Sequence, residues 1–184
     1  AAAPFHENYC NCNLKSVWLD IVVLIDTSTP MGDGKDFALE SATSALHTLT
    51  YDRTQHFYSR AAIASFGDGY HLSADFDDLN KQNVMDTEIV SFPGRVVNIT
   101  RAFKQAEALF NRNENENRTK SEVRRVVVVF ASSFIDGNYK VAEQFKFENN
   151  IVIVVDYVQD GEPTASLKKL ASPGYYFTTT DDMI

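Results

Sequence analysis

The stretch VWLDIVVLIDTSTPMGDG, from Val17 to Gly34, decides the fold. Residues 17–25 are β-branched and almost continuously apolar, the composition of a strand buried on both faces of a parallel sheet. The run stops at Asp26, and residues 26–34 are dense in turn formers. Behind them, residues 35–49 place Phe37, Ala38, Ala42, Ala45, Leu46 and Leu49 at helical spacing. The unit reads as strand, polar loop, helix.

The same alternation continues along the chain. Residues 60–66 and 70–76, separated by Gly67-Asp68-Gly69, predict an antiparallel pair joined by a hairpin turn. A short helix is expected around residues 81–86, and residues 100–110 resume helical periodicity through Ala102, Phe103, Ala106, Leu109 and Phe110. Residues 111–122 read as a solvated linker. Residues 123–130 (VRRVVVVF) and 151–155 (IVIVV) predict two more buried strands, with an amphipathic helix over residues 139–147 between them. A helix over residues 163–171 and a strand over residues 175–177 complete the pattern. This order predicts an α/β fold: a doubly wound, mostly parallel sheet with one antiparallel edge strand, helices on both faces and right-handed crossovers. Ligands of such sheets bind where the carboxyl ends of the strands meet the loops.

The 184 residues, 44% apolar and 23% charged, are the composition of one globular domain. Seventeen basic against 25 acidic residues give a formal charge of -8, which opposes nucleic acid and anionic membrane surfaces as partners. The longest apolar runs have strand length, so membrane insertion is not expected. The chain carries no G-x-S-x-G elbow, phosphate loop, H-E-x-x-H pair or G-x-G-x-x-G turn. His6, His47, His56 and His71 are scattered, so no base is apparent and a non-catalytic role is expected. Among the 13 Phe and 8 Tyr, most are expected to pack in the core; Tyr157, Tyr175 and Tyr176 are candidates for exposed rings, and Trp18 reads as a core residue.

Several features point to a secreted, extracellular setting. Asn98-Ile99-Thr100 and Asn117-Arg118-Thr119 are glycosylation sequons. Cys10 and Cys12 sit in a lead over residues 1–15, too close together to form an unstrained bridge with each other. The reading favoured is that each pairs with a cysteine outside this chain; free thiols in a frayed terminus are the alternative, and a metal site with His6 is the weakest reading. The domain is expected over residues 16–184, and Thr180-Asp181-Asp182-Met183-Ile184 reads as the start of a further helix, so the domain lacks its final helix.

Four segments together resemble the von Willebrand factor A-type (VWA) domain: LDIVVLIDTSTPMG from Leu19, RAAIASFGDGYHLSADF from Arg60, NITRAFKQAEALF from Asn98 and VVVVFASS from Val126. The Cys10-x-Cys12 lead and the phrase LASPGYYFTTTDD from Leu170 are similar to nematode secreted proteins that join such a domain to a C-type lectin domain. That resemblance implies a downstream lectin domain as neighbour, and a second C-x-C pair after the final helix as the partner of Cys10 and Cys12.

Many members of that family carry a metal-ion-dependent adhesion site (MIDAS), where a Mg²⁺ is completed by an acidic group of a protein ligand. The family pattern is Asp-x-Ser-x-Ser after the first strand, a Thr before the middle helix and an Asp after the fourth strand. This sequence keeps Asp26 and Ser28, but has Pro30, Val97 and Ser132 at the other three positions. Mg²⁺ demands octahedral oxygen ligands at about 2.0–2.1 Å and sheds water reluctantly. One matched carboxylate predicts a degenerate site with no cofactor, leaving at most weak Mg²⁺ or Ca²⁺ binding, with Asp26, Ser28 and Ser132 as vestiges and Asp33 or Asp136 as conceivable substitutes. Without a metal, Asp26 and Ser28 are expected to pin the turn by accepting from loop N–H groups. The expected function is a non-catalytic extracellular binding, adhesion or scaffolding domain in contact with a protein ligand or neighbouring domain. The alternatives are a structural spacer or disulfide-linked self-association module, and a metal-dependent receptor module.

Overall fold

The structure is a computed structural model that describes residues 18–51, 58–112, 123–134, 138–158 and 163–179. The lead with Cys10 and Cys12, the Asn117 sequon, His6, His56, Asp136 and the helix start expected at residues 180–184 lie outside the described residues. Ten principal elements follow in the alternating order expected: β1 (Leu19–Asp26), α1 (Gly34–His47), β2 (Arg60–Phe66), β3 (Tyr70–Ala74), α2 (Ile99–Arg112), β4 (Arg124–Ala131), α3 (Lys140–Phe147), β5 (Ile151–Asp156), α4 (Ala165–Leu170) and β6 (Tyr176–Thr178).

The six strands form one sheet in the order β3-β2-β1-β4-β5-β6. Only β3 runs antiparallel, paired to β2 through Phe66 and Tyr70 across the hairpin. β1 lies between β2 and β4, with Ile25 flanked by Ser65 on one side and Phe130 on the other. A strand so enclosed meets apolar neighbours on both faces, which is why residues 21–25 are all hydrophobic between Asp20 and Asp26. Val22 and Leu24 point to one face, where α2, α3 and α4 contribute Ala102, Phe103, Phe145 and Leu167. Ile21, Val23 and Ile25 point to the other, covered by Met31 and by Ala38, Ala42 and Leu46 of α1. Each fully buried large side chain, such as Phe66 or Leu24, contributes about 1.5–3 kcal/mol by leaving water.

Several elements are shorter than the sequence pattern indicates, among them α1, which ends at His47, and α4, which spans Ala165–Leu170; for two others side-chain competition for backbone groups is the reason. β3 stops at Ala74 because the Asp75 carboxylate accepts the Phe76 N–H at 2.7 Å and Asp78 accepts the Asp75 N–H at 2.8 Å. Around residues 81–86 only one 3-10 turn forms, Val84–Asp86, because the side chains of Asn80 and Asn83 take the N–H groups of Gln82 and Asn80.

At the amino-terminal end of the sheet, β1 and β2 are joined by a buried ion pair. Arg60 donates through Nε and Nη2 to the two carboxylate oxygens of Asp20, at 3.0 and 2.8 Å. The guanidinium also lies 5.0 Å from the centre of the Phe76 ring. Such a pair resists loss of one partner far more than loss of both, because a lone buried charge has no compensation. Arg60→Met is expected to cost about 3–5 kcal/mol in urea unfolding, and the Asp20→Leu/Arg60→Met double variant clearly less. Equal losses for the single and double variants would contradict the pairing.

Candidate functional site at the carboxyl ends of the strands

Asp26 is the last residue of the central strand, and its side chain is completely buried. Its Oδ1 accepts the Ser28 N–H at 2.9 Å, the turn-pinning role expected of it. Its Oδ2 has no hydrogen-bond partner, and neither do the hydroxyls of Ser28, Ser132 and Ser133, all of them buried atoms. The pairing of Ile25 with Phe130 places the end of β4, and Ser132 just beyond it, beside Asp26. Burial pushes the Asp26 carboxyl above its ordinary value of 3.8; the nearby hydroxyls and N–H groups of Ser28 and Ser132 oppose that rise only in part.

The structure thus brings together Asp26, Ser28 and Ser132, and adds Ser133. It does not bring the remaining pattern positions into play. Pro30 lies in the 3-10 turn Thr29–Met31 and has no hydroxyl. Val97 is 2% exposed and packs into the core with Ile99. Asp33 is exposed ahead of α1 and makes no side-chain cap bond. Another buried carboxylate at this end of the sheet, Asp156, is fully engaged: it accepts the Thr164 N–H and the Tyr176 hydroxyl, each at 2.6 Å, and the Thr164 hydroxyl at 3.3 Å. Among the described residues no three Asp, Glu, His or Cys side chains are grouped to hold a metal ion.

Four buried oxygens are thus left without a hydrogen-bond partner at this end of the sheet. For a dication such as Mg²⁺ four oxygens fall short of an octahedral shell, and a single carboxylate faces the cost of stripping its hydration shell. The residues present do not fit a tightly held Mg²⁺.

A strap over residues 88–98 closes one side of this site. Thr27 anchors it: its hydroxyl lies 3.2 Å from the carbonyls of both Phe66 and Val90 and accepts the Phe92 N–H at 3.2 Å. Thr29 follows, donating its N–H to Gly94 at 2.9 Å and its hydroxyl to the Pro93 carbonyl. Phe92 sits directly on the hairpin turn, where a Cβ at Gly69 would fall 2.3 Å from the ring and one at Gly67 2.6 Å from the Phe92 Cβ. Only glycine permits that approach. Val90 and Val96 remain exposed on the strap. Sequence reasoning missed Thr27 and Phe92; the Gly67-Asp68-Gly69 spacing was the available signal, and it was absorbed by the hairpin.

Tyr157 and Tyr176 are half-buried, Tyr157 so close to Gly34 that a Cβ there would meet its ring at 2.7 Å. Tyr175 is exposed, as are His47 and His71. Trp18 is half-buried beside β1.

Residues 21–136 match the profile of the von Willebrand factor type A domain. The chain is 23% identical over 186 aligned residues to C-type lectin domain-containing protein 160 of Caenorhabditis elegans, an alignment covering 95% of this chain and 29% of that protein. Among solved structures, proximal thread matrix protein 1 from the mussel byssus superposes with a TM-score of 0.70 at 18% identity, covering 89% of this chain and 44% of the mussel chain. A second structure of that protein, with a zinc-occupied MIDAS motif, gives 0.67 at 17% identity, covering 89% and 42%. The chain therefore spans less than half the length of these proteins.

The raised carboxyl of Asp26 has a definite sign. Because its folded-state value lies above 3.8, the folded chain binds that proton more tightly than the unfolded chain. The cost of the buried charge is absent below 3.8 and grows as pH rises through the folded value. Asn at this position keeps the acceptor for the Ser28 N–H and carries no charge to desolvate. Asp26→Asn is expected to stabilise by about 1–3 kcal/mol at neutral pH, with the gain shrinking on acidification. A loss of stability at neutral pH in metal-free buffer would contradict this.

Proposed function

Since the chain belongs to the von Willebrand factor type A family, we propose that it is a non-catalytic extracellular contact domain with a degenerate adhesion site. It binds a protein ligand or a neighbouring domain without recruiting a dication. The observation that carries this reading is the chemistry around Asp26: one buried carboxylate among three unpartnered serine hydroxyls, with the buried acid on the neighbouring strand end, Asp156, committed to Thr164 and Tyr176. In a metal-dependent site the ion supplies the positive charge that captures a ligand carboxylate. Here that charge is missing, so recognition falls to side chains of the loops. Val90 and Val96 offer exposed apolar surface on the strap, the kind of rim a protein partner covers.

The likeness to a nematode protein named for its C-type lectin domain supports a secreted setting and a lectin domain as neighbour in a longer chain. Cys10 and Cys12 would then pair with cysteines outside residues 1–184.

Titration calorimetry of the metal-free chain with Mg²⁺, Mn²⁺ and Ca²⁺ tests the reading. Binding no tighter than millimolar is expected for all three, unchanged by Asp26→Ala. Micromolar binding abolished by Asp26→Ala would establish a receptor module dependent on metal instead. A disulfide-linked multimer of the full-length protein on non-reducing gels would favour the spacer role over ligand contact.

A further inference from the structure

We propose that Asn98 carries an N-linked oligosaccharide, and that the helix cap it forms is what turns its acceptor nitrogen outward. Asn98 immediately precedes α2, and its Oδ1 accepts the Arg101 N–H at 2.9 Å. Its own N–H donates to the Gly67 carbonyl at 3.0 Å, and its carbonyl accepts the Ala102 N–H at 3.2 Å. On either side Val97 and Ile99 are buried at 2% and 1% exposure. Both flanking side chains thus hold the residue in place, and every polar group of Asn98 but one is committed inward. The remaining group is Nδ2, which has no hydrogen-bond partner and is not among the buried unpartnered atoms, so it reaches solvent. The amide cannot be reversed, because the Arg101 N–H requires an oxygen opposite it.

Asn98-Ile99-Thr100 supplies the sequon, with Thr100 half-exposed. In the transfer, Nδ2 bonds to the anomeric carbon of a lipid-pyrophosphate-linked oligosaccharide. The bond from that carbon to the pyrophosphate oxygen breaks, the lipid pyrophosphate leaves with the bonding pair, and Nδ2 gives up one proton. The product keeps Oδ1 as a carbonyl, so the glycosylated residue caps α2 as the free residue does. The sugar then roots beside the hairpin turn, where Arg101 reaches the Asp68 carbonyl at 3.5 Å. It stands on the flank of the strap that closes the Asp26 site.

This inference rests on the extracellular reading, since the donor is met only on the secretory route. The test is secretion of the full chain from a eukaryotic host, followed by peptide-N-glycosidase release in heavy-oxygen water and peptide mapping. Heavy oxygen is expected at Asn98, and none there in Thr100→Ala or Asn98→Asp. Hydrogen exchange of the Arg101 amide is expected to be equally slow before and after glycan removal, because the carboxylate left by the glycosidase still accepts that bond. Asn117 marked but Asn98 bare would overturn the proposal while leaving the extracellular reading intact. Both bare in secreted protein would overturn the proposal directly, and failure of the chain to be secreted would overturn both. An Arg101 amide that exchanges fast only in the glycosylated form would overturn the capping geometry.

Discussion

A carboxylate buried at the end of the central strand is the constraint around which this molecule is arranged. Asp26 sits where β1 leaves the sheet, completely enclosed, with one oxygen tied to the Ser28 N–H and the other without a partner. Such a group is expensive to bury and is retained only where the turn it holds matters. The turn does matter. Immediately after Asp26, Thr27 and Thr29 bind the strap over residues 88–98, and the strap in turn lays Phe92 on the glycines of the hairpin. The carboxyl end of the sheet is thereby built from three segments far apart in sequence, all registered against the end of one strand.

The two ends of that strand use charge differently. At the amino-terminal end, Asp20 meets Arg60 in a two-point ion pair inside the protein. At the carboxyl end, Asp26 meets only hydroxyls and N–H groups, and burial lifts its carboxyl. One carboxylate is compensated and the other is not. The mussel byssus protein of similar fold has been seen with a zinc-occupied MIDAS motif. In this chain Pro30 and Val97 offer no side-chain oxygen and Ser132 no charge, which is why we propose that no ion is tightly held there.

Much of the architecture was legible because strong local signals agreed with each other. The apolar runs of β1, β4 and β5 and the Gly67-Asp68-Gly69 turn each left one reasonable assignment, and the observed order and the reversed β3 follow them. Element ends were less legible, since the early stop of β3 depends on where the carboxylates of Asp75 and Asp78 point. Of the site, Asp26, Ser28 and Ser132 were readable through the resemblance to the VWA pattern that follows the first and fourth strands. Ser133 and the strap were not. Thr27 looks like any turn residue, and the contact of Phe92 with two glycines is a tertiary fact that no periodicity encodes. Asp156 was hidden for the same reason: its partners Thr164 and Tyr176 come from later segments of the chain.

The decisive electrostatic question lies at one point, the absence of enough negative charge beside Asp26 to strip and hold a divalent ion. Crystals of the protein soaked in manganese, with anomalous scattering recorded at the metal edge, measure this directly. At most water density is expected among Asp26, Ser28, Ser132 and Ser133, with no anomalous peak. A full-occupancy manganese in octahedral coordination against the free Oδ2 of Asp26 would contradict that expectation.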